Sequence, residues 1–101
     1  MDNNIPFLLL IFSAEVDGND LTVNYGFRNN FALANLENAN FKNADLRFAD
    51  FYSASLVNAD LSGADLTNAI LLGADLQGAI LDNAILSNAN LKCINHSICN
   101  S

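Results

Sequence analysis

The sequence predicts an all-β coil that turns a corner every five residues. Three observations carry that expectation. From Ala34 to Leu91 every fifth residue is Leu or Phe: Leu36, Phe41, Leu46, Phe51, Leu56, Leu61, Leu66, Leu71, Leu76, Leu81, Leu86 and Leu91. Two residues before each stands Ala, from Ala34 and Ala39 to Ala84 and Ala89, without a break. And five is not the period of a helix, whose faces recur at i+3, i+4 and i+7, nor of a flat strand, which alternates every two residues. In a helix five residues rotate by about 140°, which would wind the Leu column around the surface. In extended chain the side chains alternate. The centre i and the Ala at i−2 therefore point inward together, and their neighbours point outward. The interior is narrow, so Ala at i−2 is a steric requirement. The expected core is this Leu/Phe column, with Phe31 ahead of it.

The units Ala39-Asn40-Phe41-Lys42-Asn43, Ala44-Asp45-Leu46-Arg47-Phe48, Ala64-Asp65-Leu66-Thr67-Asn68 and Ala74-Asp75-Leu76-Gln77-Gly78 share the pattern Ala-(Asp/Asn)-Leu-x-x. In that pattern the chain resembles the pentapeptide-repeat family over about sixty unbroken residues. The resemblance implies a right-handed quadrilateral parallel β-helix (a solenoid), with four pentapeptides per coil and coils stacked about 4.8 Å apart. It also suggests a cyanobacterial source.

Taken in order, the chain divides into 1–13, 14–93 and 94–101. Residues Ile5 to Phe12 are apolar, but eight residues fall short of the roughly twenty that span a bilayer. The leader Met1-Asp2-Asn3-Asn4 has no basic residue, and a cut after Ala14 would put Phe12 where a small residue is wanted. The segment reads as a cap over the first coil, with a targeting segment as the rival. Asn4 can begin a short helix with Pro6 in its first turn. An uncovered solenoid end exposes apolar side chains and unpaired backbone.

Ala14 to Cys93 holds sixteen units, or about four coils, with 14–33 degenerate and 34–93 regular. Val16 and Leu21 lie in phase with the later centres, and Gly26 breaks the column. There Phe27 either takes the inward site through a bulge or the side is irregular. Phe31 restores the column. Phe31 and Phe51, twenty residues apart, are expected to stack, with Phe41 facing them from the opposite side. Corner positions i+2 carry Asn38, Asn43, Asn58, Asn68, Asn83 and Asn88, with Gly63, Gly73 and Gly78, residues suited to tight turns.

The tail leaves the repeat. Cys93 and Cys99 can close a disulfide that staples a C-terminal cap, stay as free thiols, or join His96 in a metal site. The last lacks a fourth ligand, so no metal is expected. His96 is expected to be an exposed polar residue. Asn95-His96-Ser97 fits a glycosylation acceptor, which matters only in a eukaryotic secretory route.

Function must lie on the outward positions. Asp45, Asp50, Asp60, Asp65 and Asp75 sit at i−1, a solvated site where Asp and Asn recur, so no catalytic residue and no cofactor are expected. Asp45 and Asp65 stack and can attract a cation, but Arg47 is the simpler partner. Tyr52, Ile70 and Leu72 fall on one side with Leu33 near its edge, and a contiguous apolar patch of this kind is either an interface or a harmless flat β face. Net charge is −7 with only four Lys and Arg, which argues against direct binding to nucleic acid or anionic membrane.

The expectation is a non-catalytic structural or interaction module that presents flat β faces to a protein partner, without a transmembrane segment. It can pair with itself through the apolar face or a solenoid end. The family resemblance supplies the alternative, an acidic DNA mimic acting on a topoisomerase such as gyrase. The expected location is cytoplasmic, or a periplasm or thylakoid lumen if Cys93 and Cys99 are bridged.

Overall fold

The computed structural model describes residues 30–100. The expected cap at 1–13, the degenerate units up to residue 29 with the break at Gly26, and Ser101 lie outside the described residues.

Each unit turns through the same four-residue corner. Leu61 C=O accepts the Ala64 N–H at 3.1 Å, and Gly63 between them has φ +70°. One left-handed residue at the third place of such a turn is the mark of type II. The same sign of φ recurs at Asn38, Asn43, Asn58, Asn68, Gly73, Gly78, Asn83 and Asn88, as expected of the corner positions. It also occurs at Leu33, Phe48 and Ser53, where the residue type gives no such signal.

Between corners the chain pairs in parallel with residues twenty positions away: Asn30 with Asp50, Asp50 with Ile70, Ile70 with Asn90. Five residues per corner and twenty per return make four sides. The first side is centred on Phe31, Phe51, Leu71 and Leu91. The second is centred on Leu36, Leu56 and Leu76, the third on Phe41, Leu61 and Leu81, and the fourth on Leu46, Leu66 and Leu86. Each side contributes a single bridging residue per coil, at i−1, rather than a strand. A turn every five residues leaves no length for a longer ladder.

The backbone accounting explains the residue choice at i−1. In the unit Ala59–Gly63, the Ala59 amide closes the preceding turn onto Leu56 O at 3.0 Å. Asp60 donates back to Ala39 O at 2.9 Å, while Leu61 and Gly63 donate forward to Ile80 O and Asp82 O at 2.7 and 2.9 Å. That leaves the Ser62 amide, which the Asp60 carboxylate accepts at 3.0 Å. All five donors are satisfied, as a buried or half-buried backbone demands. Asn30, Asn35, Asn40, Asp45, Asp50, Asp65, Asp75 and Asn90 do the same for the amide two residues on. Asp and Asn at i−1 are therefore turn-building residues of the kind that form side-chain-to-backbone turns.

Inside, Phe31, Leu36, Phe41, Leu46, Phe51, Leu56, Leu61, Leu66, Leu71 and Leu76 are fully buried, and the Ala column from Ala34 to Ala74 is at most 1% exposed. Phe31 and Phe51 stack at 5.1 Å with 11° between planes, and Phe41 meets both edge-on at 5.6 and 5.8 Å. Leu81, Leu86 and Leu91 depart from the expected core. They are only partly buried, although they pack on the same cluster. Among the described residues no complete coil lies over them. Only the tail covers part of that end, through Cys93, Ile98 and Cys99.

The tail also loses register. Asp75 pairs with Ile94, nineteen residues on, where the coil would offer residue 95. Cys93 thereby turns inward, at 7% exposed, and is bonded to Cys99 with 5.0 Å between Cα atoms.

Candidate functional site

The first side is built unlike the others. Its centres Phe31, Phe51 and Leu71 are buried, which forces Tyr52, Ile70 and Leu72 outward by alternation. Tyr52 and Leu72 occupy one column in successive coils. The backbone shows the stacking: Phe51 N–H donates to Ile70 O at 2.8 Å and Ser53 N–H to Leu72 O at 2.9 Å. Leu33 stands at the corner that closes this side in the coil before, its amide on Tyr52 O at 2.8 Å. The structure thus brings together Tyr52, Ile70, Leu72 and Leu33.

It adds one residue that sequence reasoning left out. Phe48 occupies the opposite corner, where the chain enters the first side. Leu33, Phe48, Tyr52, Ile70 and Leu72 are five of the eight large apolar residues exposed among those described, at 60, 44, 46, 40 and 39%. Both corner residues hold φ +63°. A left-handed backbone disfavours a side chain with a Cβ by roughly 1–2 kcal/mol, and an exposed Leu or Phe gains little burial in return. The signal for Phe48 was in the sequence: like Leu33, it fills a corner position that at residues 38–88 is otherwise given to Asn, Gly or Ser.

Charged residues are few on the outward positions of two sides: the first carries only Asp50 and Lys92, and the second only Glu37 and Asp75. On the fourth side Arg47 grips Asp45 through two bonds of 2.8 Å, Nε to Oδ1 and Nη2 to Oδ2. These bonds hold the Asp45 carboxyl below the usual carboxylate range and raise Arg47 in turn. Asp45 and Asp65 do stack, but Asp45 is taken by Arg47, and Asp65 accepts the Thr67 hydroxyl at 2.6 Å. On the third side the Ser62 hydroxyl donates to Asp60 at 2.5 Å and, with the Ser62 amide, lowers that carboxyl. Lys42 lies 3.8 Å from it and adds less.

His96 is not the plain exposed residue expected. Its Nδ1 accepts the Ile98 amide at 3.2 Å, so Nε2 carries the hydrogen and donates to Ala79 O at 3.0 Å. Every carbonyl equivalent to Ala79 on the coils below takes an amide from the next coil, as Ala39 takes Asp60. The imidazole stands in for that missing amide. Asn100, the residue twenty positions after Ile80, gives its own amide to Leu91 O at 2.8 Å. Nothing in the composition of the tail announces this, because the partner is a backbone atom reached only after the register slip. With the two sulfurs bonded to each other and both ring nitrogens engaged, Cys93, His96 and Cys99 do not converge as ligands.

The concave surface beside this tail is a shallow open cleft lined by Ala79, Leu81, Asp82, His96 and Ile98. No helix among the described residues is long and apolar enough to cross a membrane.

Comparison with known proteins places this geometry. The family of pentapeptide repeats matches in eight copies over residues 30–68 and 59–93. Among solved structures, the chain is similar to a pentapeptide repeat protein, Rfr23, from the cyanobacterium Cyanothece 51142, with 27% identity and a TM-score of 0.57 over 84% of this chain and 56% of that one. It is also similar to HetL from the cyanobacterium Nostoc sp. strain PCC 7120, a pentapeptide repeat protein involved in heterocyst differentiation regulation. There the identity is 34% and the TM-score 0.52, over 81% of this chain and 38% of HetL. The chain thus spans about half the length, or less, of these two solved relatives. No curated protein matches the sequence.

Proposed function

The chain belongs to the pentapeptide repeat family, and from that premise we propose that it is a non-catalytic interaction module whose first side binds a protein partner. The right-handed sense of the coil, as the family resemblance implies, is part of the same proposal. One observation carries the assignment of the side. Leu33 and Phe48, both exposed and both at φ +63°, bracket the face that holds Tyr52, Ile70 and Leu72. Two local costs are accepted at the two edges of one side, and strained backbone of this kind clusters where function needs it.

The size of the face limits what it can hold alone. Three residues of extended chain per side, two of them outward, at about 3.3 Å each by four coils at about 4.8 Å cover on the order of 150–200 Å², against about 800 Å² per partner in a stable complex. A lasting complex would draw in the adjoining corners and sides, or engage a short segment of the partner. The involvement of HetL in differentiation regulation is compatible with a regulatory partner for this chain. The relatives' cyanobacterial origin supports a cyanobacterial source. The Cys93–Cys99 bond favours an oxidising compartment such as a periplasm or thylakoid lumen.

Light scattering at rising concentration, paired with in-cell cross-linking, tests the assignment. The Leu72→Asp variant is expected to lose whichever association the parent chain shows, with itself or with another protein. An association that persists unchanged in Leu72→Asp overturns the choice of this side. DNA mimicry is the weaker reading: Arg47 and Lys42 break the acidic surface on the fourth and third sides, and the first side is apolar. Inhibition of gyrase supercoiling by modest excess protein would reinstate it.

A further inference from the structure

We propose that residues 96–99 form a redox latch on the C-terminal end of the coil, closed by the Cys93–Cys99 bond and released by a dithiol reductant. Among the described residues, the segment lies over the end at which core residues are incompletely covered. Ile98 and Cys99 pack against the core cluster beside the partly buried Leu81, Leu86 and Leu91. Ile94 and Asn95 are tied to the coil without the bridge, Ile94 through backbone bonds to Ala74 O and from the Leu76 amide at 2.9 and 3.0 Å and Asn95 through its side-chain amide to Asp75 at 2.9 Å. Residues 96–99 have three bonds: His96 Nε2 to Ala79 O at 3.0 Å, the Ile98 amide to His96 Nδ1 at 3.2 Å, and the Cys99 amide to His96 O at 3.0 Å. Two of these three are internal to the segment. Within 96–99 only the imidazole bonds to the coil, so the sulfur bridge, with the Asn100 amide on Leu91 O just beyond it, holds the far end of the segment down.

The bridge is open to attack from one side only. Cys93 is 7% exposed within the core, whereas Cys99 is partly exposed. A thiolate of the reductant attacks Cys99 Sγ, the S–S bond breaks, and Cys93 leaves as a thiolate that takes a proton. Its thiol has an acceptor in place, since Cys93 Sγ lies 3.5 Å from Leu91 O. The second thiolate of the reductant then displaces Cys99, which takes the second proton. Two electrons and two protons have passed to the protein, and the reductant ends as a disulfide. By loop-closure entropy, losing so short a loop shifts the latch toward its open form by roughly fiftyfold. Opening strips the imidazole from Ala79 and uncovers Leu81, Leu86 and Leu91.

Amide exchange on the full chain tests the latch, read by NMR for the oxidised protein, the protein in dithiothreitol, and Cys99→Ser. The reporters are the amides of Ile98, Cys99 (in the chains that retain it) and Asn100. The controls are Leu56 and Leu61, bonded between inner coils at 2.8 and 2.7 Å. The expected result is a loss of protection of tenfold or more at the reporters in dithiothreitol and in Cys99→Ser, with the controls within twofold and recovery on reoxidation. Reporters that keep their protection without the bond overturn the proposal. Controls that lose protection together with the reporters overturn it too, because the bond is then a staple of the whole fold.

Discussion

Among the corner residues, a left-handed backbone separates those that fit from those that do not. Asn and Gly tolerate it, while Leu33 and Phe48 adopt it with exposed apolar side chains. If those two are kept for a partner, removing them should help the isolated fold. Phe48→Asn and Leu33→Asn are each expected to raise unfolding free energy by about 1 kcal/mol, read from urea midpoints. At position 48 the new amide would also join a column in which Asn88 already donates to Asn68. The converse holds at Gly63, whose φ is +70° and where an added Cβ would run into the Asn43 side-chain oxygen. Gly63→Ala is expected to cost about 1–2 kcal/mol in the same assay. These corners were largely legible in the sequence, since Asn and Gly recur at i+2. Leu33 and Phe48 were legible only as exceptions to that rule.

In the element, a five-residue side and its turn, packing and hydrogen bonding divide the work. The inward pair fills a narrow space, so Leu66→Ala should cost about 2–5 kcal/mol and Ala64→Leu about 1–3 kcal/mol by overpacking. Leu86→Ala, in the partly covered last coil, should cost roughly half as much as Leu66→Ala, because less of the side chain leaves water. The outward carboxylates secure the turns, and two of them tie stability to pH. Arg47 holds Asp45 low, and the Ser62 hydroxyl and amide hold Asp60 low. Near pH 4 the folded protein therefore binds fewer protons at these groups than the unfolded chain. Their stabilisation is complete above the unfolded value of about 4 and is lost as pH falls through the lower folded values. The urea midpoint should drop between pH 5 and pH 3, and the double variant Asp45→Asn/Asp60→Asn should drop less. The inward columns could be read directly from the period of five. The amide bond that each Asp or Asn at i−1 accepts could not, because it depends on a turn whose geometry the period implies but does not display.

For the whole molecule, each coil contacts only its neighbours, as in other solenoids, and so its sides can differ without disturbing the core. The sequence placed Tyr52, Ile70, Leu72 and Leu33 on one side because stacking by twenty residues is a property of the repeat itself. The C-terminal end was less legible. The slip that pairs Asp75 with Ile94 ends the period, and with it the rule that predicted burial for Leu81, Leu86 and Leu91. His96 acquires its role only there. The central claim, that one side of four is an interface, is tested most directly by placing a photo-cross-linking residue on each side in turn. Tyr52 serves for the first, Gln77 for the second, Asp82 for the third and Thr67 for the fourth. Irradiation in the native cells should yield a discrete adduct from position 52 alone, and Leu72→Asp in the same chain should abolish it. Equal adducts from all four positions, or an adduct from another side with none from position 52, would contradict the account.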